Sequence, residues 1–134
     1  MRPDVWLEWG QHDLNAAQAC METGENHIAC YLAAQSAEKG LKAVIEYIGE
    51  SVQRTHSLVA LHGQLLAAGC RLDLPEQMLL SLTRHATDAR YPRGGDYMPE
   101  ELYGPGDAHA ALESARHVHA TCRGALSDDT APGM

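Results

Sequence analysis

Three observations predict an all-α fold: an up-and-down four-helix bundle with an additional helical segment, five helices in all. Apolar residues recur at intervals of three and four through most of the 134 residues. No stretch of useful length alternates apolar with polar as a half-buried strand would. The links between periodic stretches are short and carry Gly, Pro, Asn, Asp or Ser where helices stop and start. The length fits one domain with a sizeable core, expected over residues 1–126, with 127–134 as a flexible C-terminal tail.

The first helix is expected to start after Asp4 as its N-cap, with Pro3 before it. Leu7, Gly10, Leu14, Ala17 and Met21 repeat 3-4-3-4, which makes a bundle seam. Thr23-Gly24-Glu25-Asn26 then offers a terminating glycine and a fresh N-cap in Asn26, too short a link for anything but an antiparallel hairpin.

The second helix, about Asn26 to Ile48, divides into three faces at 100° per residue. Cys30, Ala34, Ala37, Leu41, Val44, Ile45 and Ile48 form an apolar stripe. Ala29, Ala33, Ser36, Gly40 and Ala43 form a face of small side chains, expected to receive another helix of the same chain at close range. Gln35, Lys39, Lys42 and Glu46 are left as a narrow polar strip, with Glu38 at its edge. Glu38 and Lys42 form an i,i+4 pair in the favourable order, which contributes about 0.2–0.5 kcal/mol when exposed. That strip is either the outside of the bundle or the wall of a site.

Gly49 stops this helix, and Thr55 or Ser57 is placed to cap the third, whose inward residues are Leu58, Leu61, Leu65 and Ala68. His56 therefore stands at a helix N-terminus, where free N–H groups and the dipole favour an anion; packing or capping is the other reading. Asp73-Leu74-Pro75-Glu76 starts a fourth helix with a stripe of Leu79, Leu82, Ala86 and Ala89, and Pro92 ends it near Arg90 or Tyr91. The segment 93–106, rich in Gly, Pro and Tyr, is long for a small domain. Asp107 is expected to cap the last helix, with Ala108, Ala111, Leu112, Ala115, Val118, His119 and Cys122 inward.

Composition narrows the function. A net charge of −8 argues against a protein that coats nucleic acid through phosphate contacts, so any bound anion must be met by a local cluster drawn from Lys39, Lys42, Arg54, His56, Arg84, His85, Arg90 and Arg93. Eight histidines raise a metal reading, but no ligand set of recognised spacing occurs, and no metal or cofactor is expected. Cys20, Cys30, Cys70 and Cys122 lie far apart without Cys-x-x-Cys. With no apolar run long enough to span a bilayer and acid early in the chain, a cytoplasmic protein is expected, with its thiols as small buried residues.

Asp13-Leu14, Gln35-x-Ala37-Glu38-Lys39-x-Leu41-Lys42-Ala43, Thr55-His56-x-Leu58 and Ala89-Arg90-Tyr91-Pro92 resemble, in content and order, the HEPN family, a domain shared by higher eukaryotes and prokaryotes and associated with nucleotide binding. The resemblance covers about residues 3 to 125. It implies a short four-to-five-helix bundle that commonly forms a homodimer, often beside a small nucleotidyltransferase in toxin–antitoxin-like pairs, while other members are metal-independent ribonucleases. The ribonuclease branch is marked by Arg-x4-6-His, in which His serves acid–base chemistry and Arg holds the scissile phosphate. No arginine of this chain has a histidine at i+5, i+6 or i+7; Arg54 and His62 come nearest, one residue too far apart.

The expectation is therefore a binding module for a nucleotide or other small anionic ligand, or for a partner's nucleotide-bearing site. Lys39 and Lys42 would meet phosphates, His56 and Arg90 would converge from neighbouring helices, and Tyr91 would offer a stacking face. A ribonuclease with a nonstandard pair, His56 with Arg54 or Arg90, is the enzymatic alternative. A structural alternative has Glu38 and Asp13 pairing Lys42 and Arg90 to tie the bundle together.

Overall fold

The structure, a computed structural model, describes residues 1–92 and 95–127. Its helices are α1 (Pro3–Glu22), α2 (Asn26–Tyr47), α3 (Leu58–Ala67), α4 (Glu76–Asp88), the single turn α5 (Pro99–Leu102) and α6 (Pro105–Ser127). The five long helices are those the apolar periodicity predicts. The sixth, α5, is one turn inside the segment expected to be irregular, started by Pro99 at a position where the missing N–H costs nothing. Among the described residues there is no strand.

Helix α2 is the centre of the bundle and packs against all five other helices. Its apolar stripe is buried through Cys30, Ala34, Ala37, Leu41, Val44 and Ile45, and its small-residue face through Ala29, Ala33, Ser36, Gly40 and Ala43. The small face receives α6, as the sequence predicts: a Cβ on Gly40 would lie 3.3 Å from Cys122 Sγ. Across the α1–α2 contact, a Cβ on Gly10 would lie 3.3 Å from both Ser36 O and a ring carbon of His119. The α1 seam is buried at Leu7, Gly10, Leu14 and Ala17.

The hairpin between α1 and α2 closes because Gly24 takes φ +82°, which lets Glu25 N–H return to Cys20 O at 2.8 Å and Gly24 N–H to Met21 O at 3.2 Å. Helix α2 ends in the same way at Gly49.

Three starts differ from expectation. Helix α1 begins at Pro3 with Arg2 at the cap, so Asp4 lies in the first turn and meets the dipole there instead of capping. Helix α2 has Glu25 at its cap and Asn26 as its first residue. Helix α6 begins at Pro105, and Asp107 reaches back from its first turn to accept Gly104 N–H at 2.8 Å. Helix α6 also continues through Ser127, one residue into the expected tail; residues 128–134 lie outside the described residues, as does Arg93 among the candidate cations.

Cys30, Cys70 and Cys122 are buried, and burial pushes the Cys30 thiol up to about 12 and those of Cys70 and Cys122 upward as well. These thiols pack as small apolar groups and are not poised as nucleophiles. No helix is long and apolar enough to cross a membrane among the described residues.

Candidate functional site

On α2, Tyr31, Gln35, Glu38 and Lys42 stand at i, i+4, i+7 and i+11, which places them on one face. Two clusters are built on it. At a rise of 1.5 Å per residue, Tyr31 and Glu38 lie about 10 Å apart along the axis.

The first cluster is organised by Glu38. Its side chain is 6% exposed, Oε2 accepts from Lys42 Nζ at 2.9 Å, and Oε1 meets His56 Nδ1 at 2.9 Å. The Lys42 ammonium also lies 5.5 Å from the centroid of the Trp6 ring, so α1 helps to cover it. His56 is brought here by the start of α3. Ser57 caps that helix through Ala60 N–H at 3.1 Å, Thr55 Oγ1 accepts Ser57 N–H at 3.1 Å, and Leu58 N–H is tied across to Thr83 Oγ1 of α4 at 3.0 Å. An ionised carboxylate paired with a lysine can only accept, so Nδ1 of His56 carries the proton and donates it to Glu38. The His56 side chain is 65% exposed, and in the neutral ring Nε2 is left as the acceptor.

Lys39 points the other way, to α1, and pairs with Asp13 at 2.6 Å. The structural alternative is thus corrected in one partner: Glu38 does tie Lys42, but Asp13 ties Lys39 and not Arg90. Both lysines of the strip hold carboxylates of the same chain, because α2 is buried on so much of its circumference that their ammonium groups lie within reach of acids on the neighbouring turn and on α1.

The second cluster is organised by Arg90, just past the end of α4. Its guanidinium lies 4.8 Å from the centroid of Tyr31 and 5.5 Å from that of Tyr91. Arg90 is exposed, and among the described residues it pairs with no carboxylate. Beside it opens a cleft of about 100 Å³, whose lining includes His27, Tyr91, Tyr97, Leu102 and Tyr103 together with Arg90. Helix α5 supplies this wall: Tyr103 N–H bonds to Pro99 O at 2.9 Å, and the Tyr103 ring meets His85 edge-on at 5.8 Å.

The predicted residues therefore come together in two groups rather than one. His56 joins Lys42 through Glu38, and Arg90 joins Tyr91 with Tyr31 between the guanidinium and α2. Sequence reasoning missed Tyr31, His27 and Trp6. Tyr31 was within reach of it, since it shares the i, i+7, i+11 register with Glu38 and Lys42; Trp6 and His27 meet the clusters only through tertiary packing. His119, expected on the inward face of the last helix, is buried and donates from Nε2 to Leu7 O at 2.9 Å. No group of three metal-ligating side chains occurs among the described residues.

The fold and these clusters define a small all-α bundle with a charged, aromatic face on its central helix. The chain belongs to the HEPN domain family, which it matches over residues 4–125. Among solved structures it is similar to the protein TT1696 from Thermus thermophilus, at 28% identity and a TM-score of 0.78, over 91% of this chain and 96% of that one. It is similar to an archaeal HEPN homologue at 23% identity and a TM-score of 0.73, over 95% and 99% of the two chains. A HEPN domain protein from Thermotoga maritima matches at 24% identity and 0.71, over 92% and 98%. No curated protein has a significantly similar sequence.

Proposed function

We propose that this chain is a HEPN-type binding module that holds a nucleotide, or the nucleotide-bearing site of a partner protein, on the face of α2 between Arg90 and His56. The observation that carries the reading is Arg90, an exposed cation without a carboxylate partner among the described residues, held between two tyrosine rings at the mouth of a cleft. A guanidinium fixed by stacking loses little freedom when an anion arrives, and it presents a planar fork suited to phosphate. In a protein of net charge −8, one such local cation suits a small anionic ligand better than a long duplex. Lys42 and His56 stand at the far end of the same face, both bonded to Glu38, and Tyr91 offers the ligand a ring. No cofactor or metal enters this reading.

The module acts as a homodimer beside a small nucleotidyltransferase, in a toxin–antitoxin-like pair. Trp9 on α1 is 60% exposed and Leu80 on α4 is also exposed, which supports a protein contact through α1 or α4. Sedimentation of wild type and Trp9→Lys tests the dimer: a dimer converted to monomer supports the α1 contact, and a monomeric wild type removes it.

Thermal-shift titration with a panel of nucleotides and short RNAs tests the binding. Saturable stabilisation is expected for at least one nucleotide in wild type and is expected to weaken in Arg90→Ala with the melting midpoint kept. In Lys39→Ala/Lys42→Ala the midpoint itself should fall, since Asp13 and Glu38 lose their lysines. No shift with any ligand would reject the reading.

A second, enzymatic reading rests on the acceptor Nε2 of His56, oriented by a buried carboxylate as a general base is. A His56/Arg90 ribonuclease predicts metal-independent cleavage of short RNA by wild type and none by His56→Ala. The absence of Arg-x4-6-His places this behind the binding reading.

A further inference from the structure

The aromatic cleft beside Arg90 is unevenly equipped for a nucleotide. For a phosphate the described lining offers one guanidinium. For a flat aromatic ring it offers far more: the rings of Tyr91, Tyr97, Tyr103 and His27, together with Leu102 and Pro99. Tyr91 is 63% exposed and Tyr97 50% exposed, so both present open surface at the mouth. Arg90 lies over the Tyr91 ring and keeps that side chain in place, while the two lysines that would otherwise have answered a phosphate are spent on Asp13 and Glu38.

Building on the binding reading above, we propose that the cleft is base-anchored: it takes the nucleobase of a nucleoside or mononucleotide against Tyr91 and Tyr97, and Arg90 adds a secondary contact to the 5′-phosphate. Two physical arguments carry this. Stacking on a pre-placed ring works for every base because every base has a π face, and a half-enclosed aromatic cleft removes apolar surface from water on both partners. A single exposed cation in water, by contrast, binds an anion weakly, and salt screens it. A sugar phosphate without a base would have Arg90 and little else.

The test is calorimetric titration with four probes at fixed pH and two salt concentrations: adenosine, adenosine 5′-monophosphate, ribose 5-phosphate and inorganic pyrophosphate. Adenosine is expected to bind with an affinity nearly independent of salt. The monophosphate should bind less than about tenfold more tightly at low salt, that advantage shrinking at high salt, because 1.4 kcal/mol is tenfold and one screened contact contributes less. Ribose 5-phosphate and pyrophosphate should give no saturable heat. Tyr91→Ala should weaken adenosine at least tenfold and Tyr91→Phe should restore it, while Arg90→Ala should erase only the advantage of the monophosphate. Since Tyr91 and Arg90 are exposed, the melting midpoints of these variants should stay within a few degrees of wild type, which separates lost binding from lost folding. Binding of ribose 5-phosphate or pyrophosphate without adenosine would overturn the base anchor and leave the anion-binding module standing. Silence from all four probes would remove both.

Discussion

Glu38 and Tyr31 sit on the same face of α2 and anchor two clusters that manage charge in opposite ways. Around Glu38 the charge is internal: a nearly inaccessible carboxylate has one oxygen on Lys42 and the other on His56, and an indole ring lies over the lysine. Around Arg90 the charge is presented: a guanidinium at a helix end is steadied by aromatic rings and left open on its outer side. A cation already neutralised by its own chain contributes to folding, and one held in place without being neutralised is available to a ligand. The comparison teaches that a lysine-rich signature need not mark where an anion binds.

The largest expected effect follows from removing the carboxylate that two cations share. Glu38→Ala leaves Lys42 half-buried with no acid and His56 without its orienting partner, and breaking a buried pair from one side costs about 3 kcal/mol. Urea unfolding should show it. Arg90→Ala should change the same measurement by no more than about 0.5 kcal/mol, as surface substitutions do. Equal losses in the two variants would break the distinction between an internal and a presented cation.

A smaller loss is expected on the opposite side of α2, where no charge is involved. A leucine at Gly40 must enter space that Cys122 already occupies 3.3 Å from where its Cβ would be, so Gly40→Leu should cost about 1–3 kcal/mol. This sharpens the comparison because it asks whether the charged face depends on how tightly α2 is gripped from behind. A stable Gly40→Leu protein would mean that α6 yields, and that Glu38 and Tyr31 are not held in a fixed register.

Much of this architecture was legible in the residues. The 3-4 spacing of Leu7, Gly10, Leu14 and Ala17 and the three-faced pattern of α2 depend only on local periodicity, and they placed helices, hairpin and core face. The start of α6 was read wrongly because Asp107 carries a capping side chain, and the sequence does not show whether it caps forward or, as here, reaches back to Gly104. The site was half legible. Glu38–Lys42 is a local i,i+4 pair and could be read directly, whereas Asp13–Lys39 and Arg90–Tyr31 join residues far apart in the chain and depend on how the helices that carry or precede them rotate against each other. Charge type and position were visible; which charges would be satisfied by folding was a tertiary fact.

The smallest expected effect concerns a second imidazole. Among the described residues His62 on α3 has no carboxylate in hydrogen-bond contact, and its Nε2 is buried without a partner. Burial lowers its pKa from the ordinary 6.5, with Glu76 and the Leu72 carbonyl opposing that only in part. The unfolded chain therefore takes up this proton at higher pH than the folded one. The sign follows directly: the contribution of His62 to stability is complete above about 6.5 and is lost progressively as the pH falls from there toward its lower folded value. Melting midpoints at pH 7.5 and 5.5 should fall further in wild type than in His62→Gln, which has no proton to gain in that range. An equal fall in both would assign the acid sensitivity to other groups.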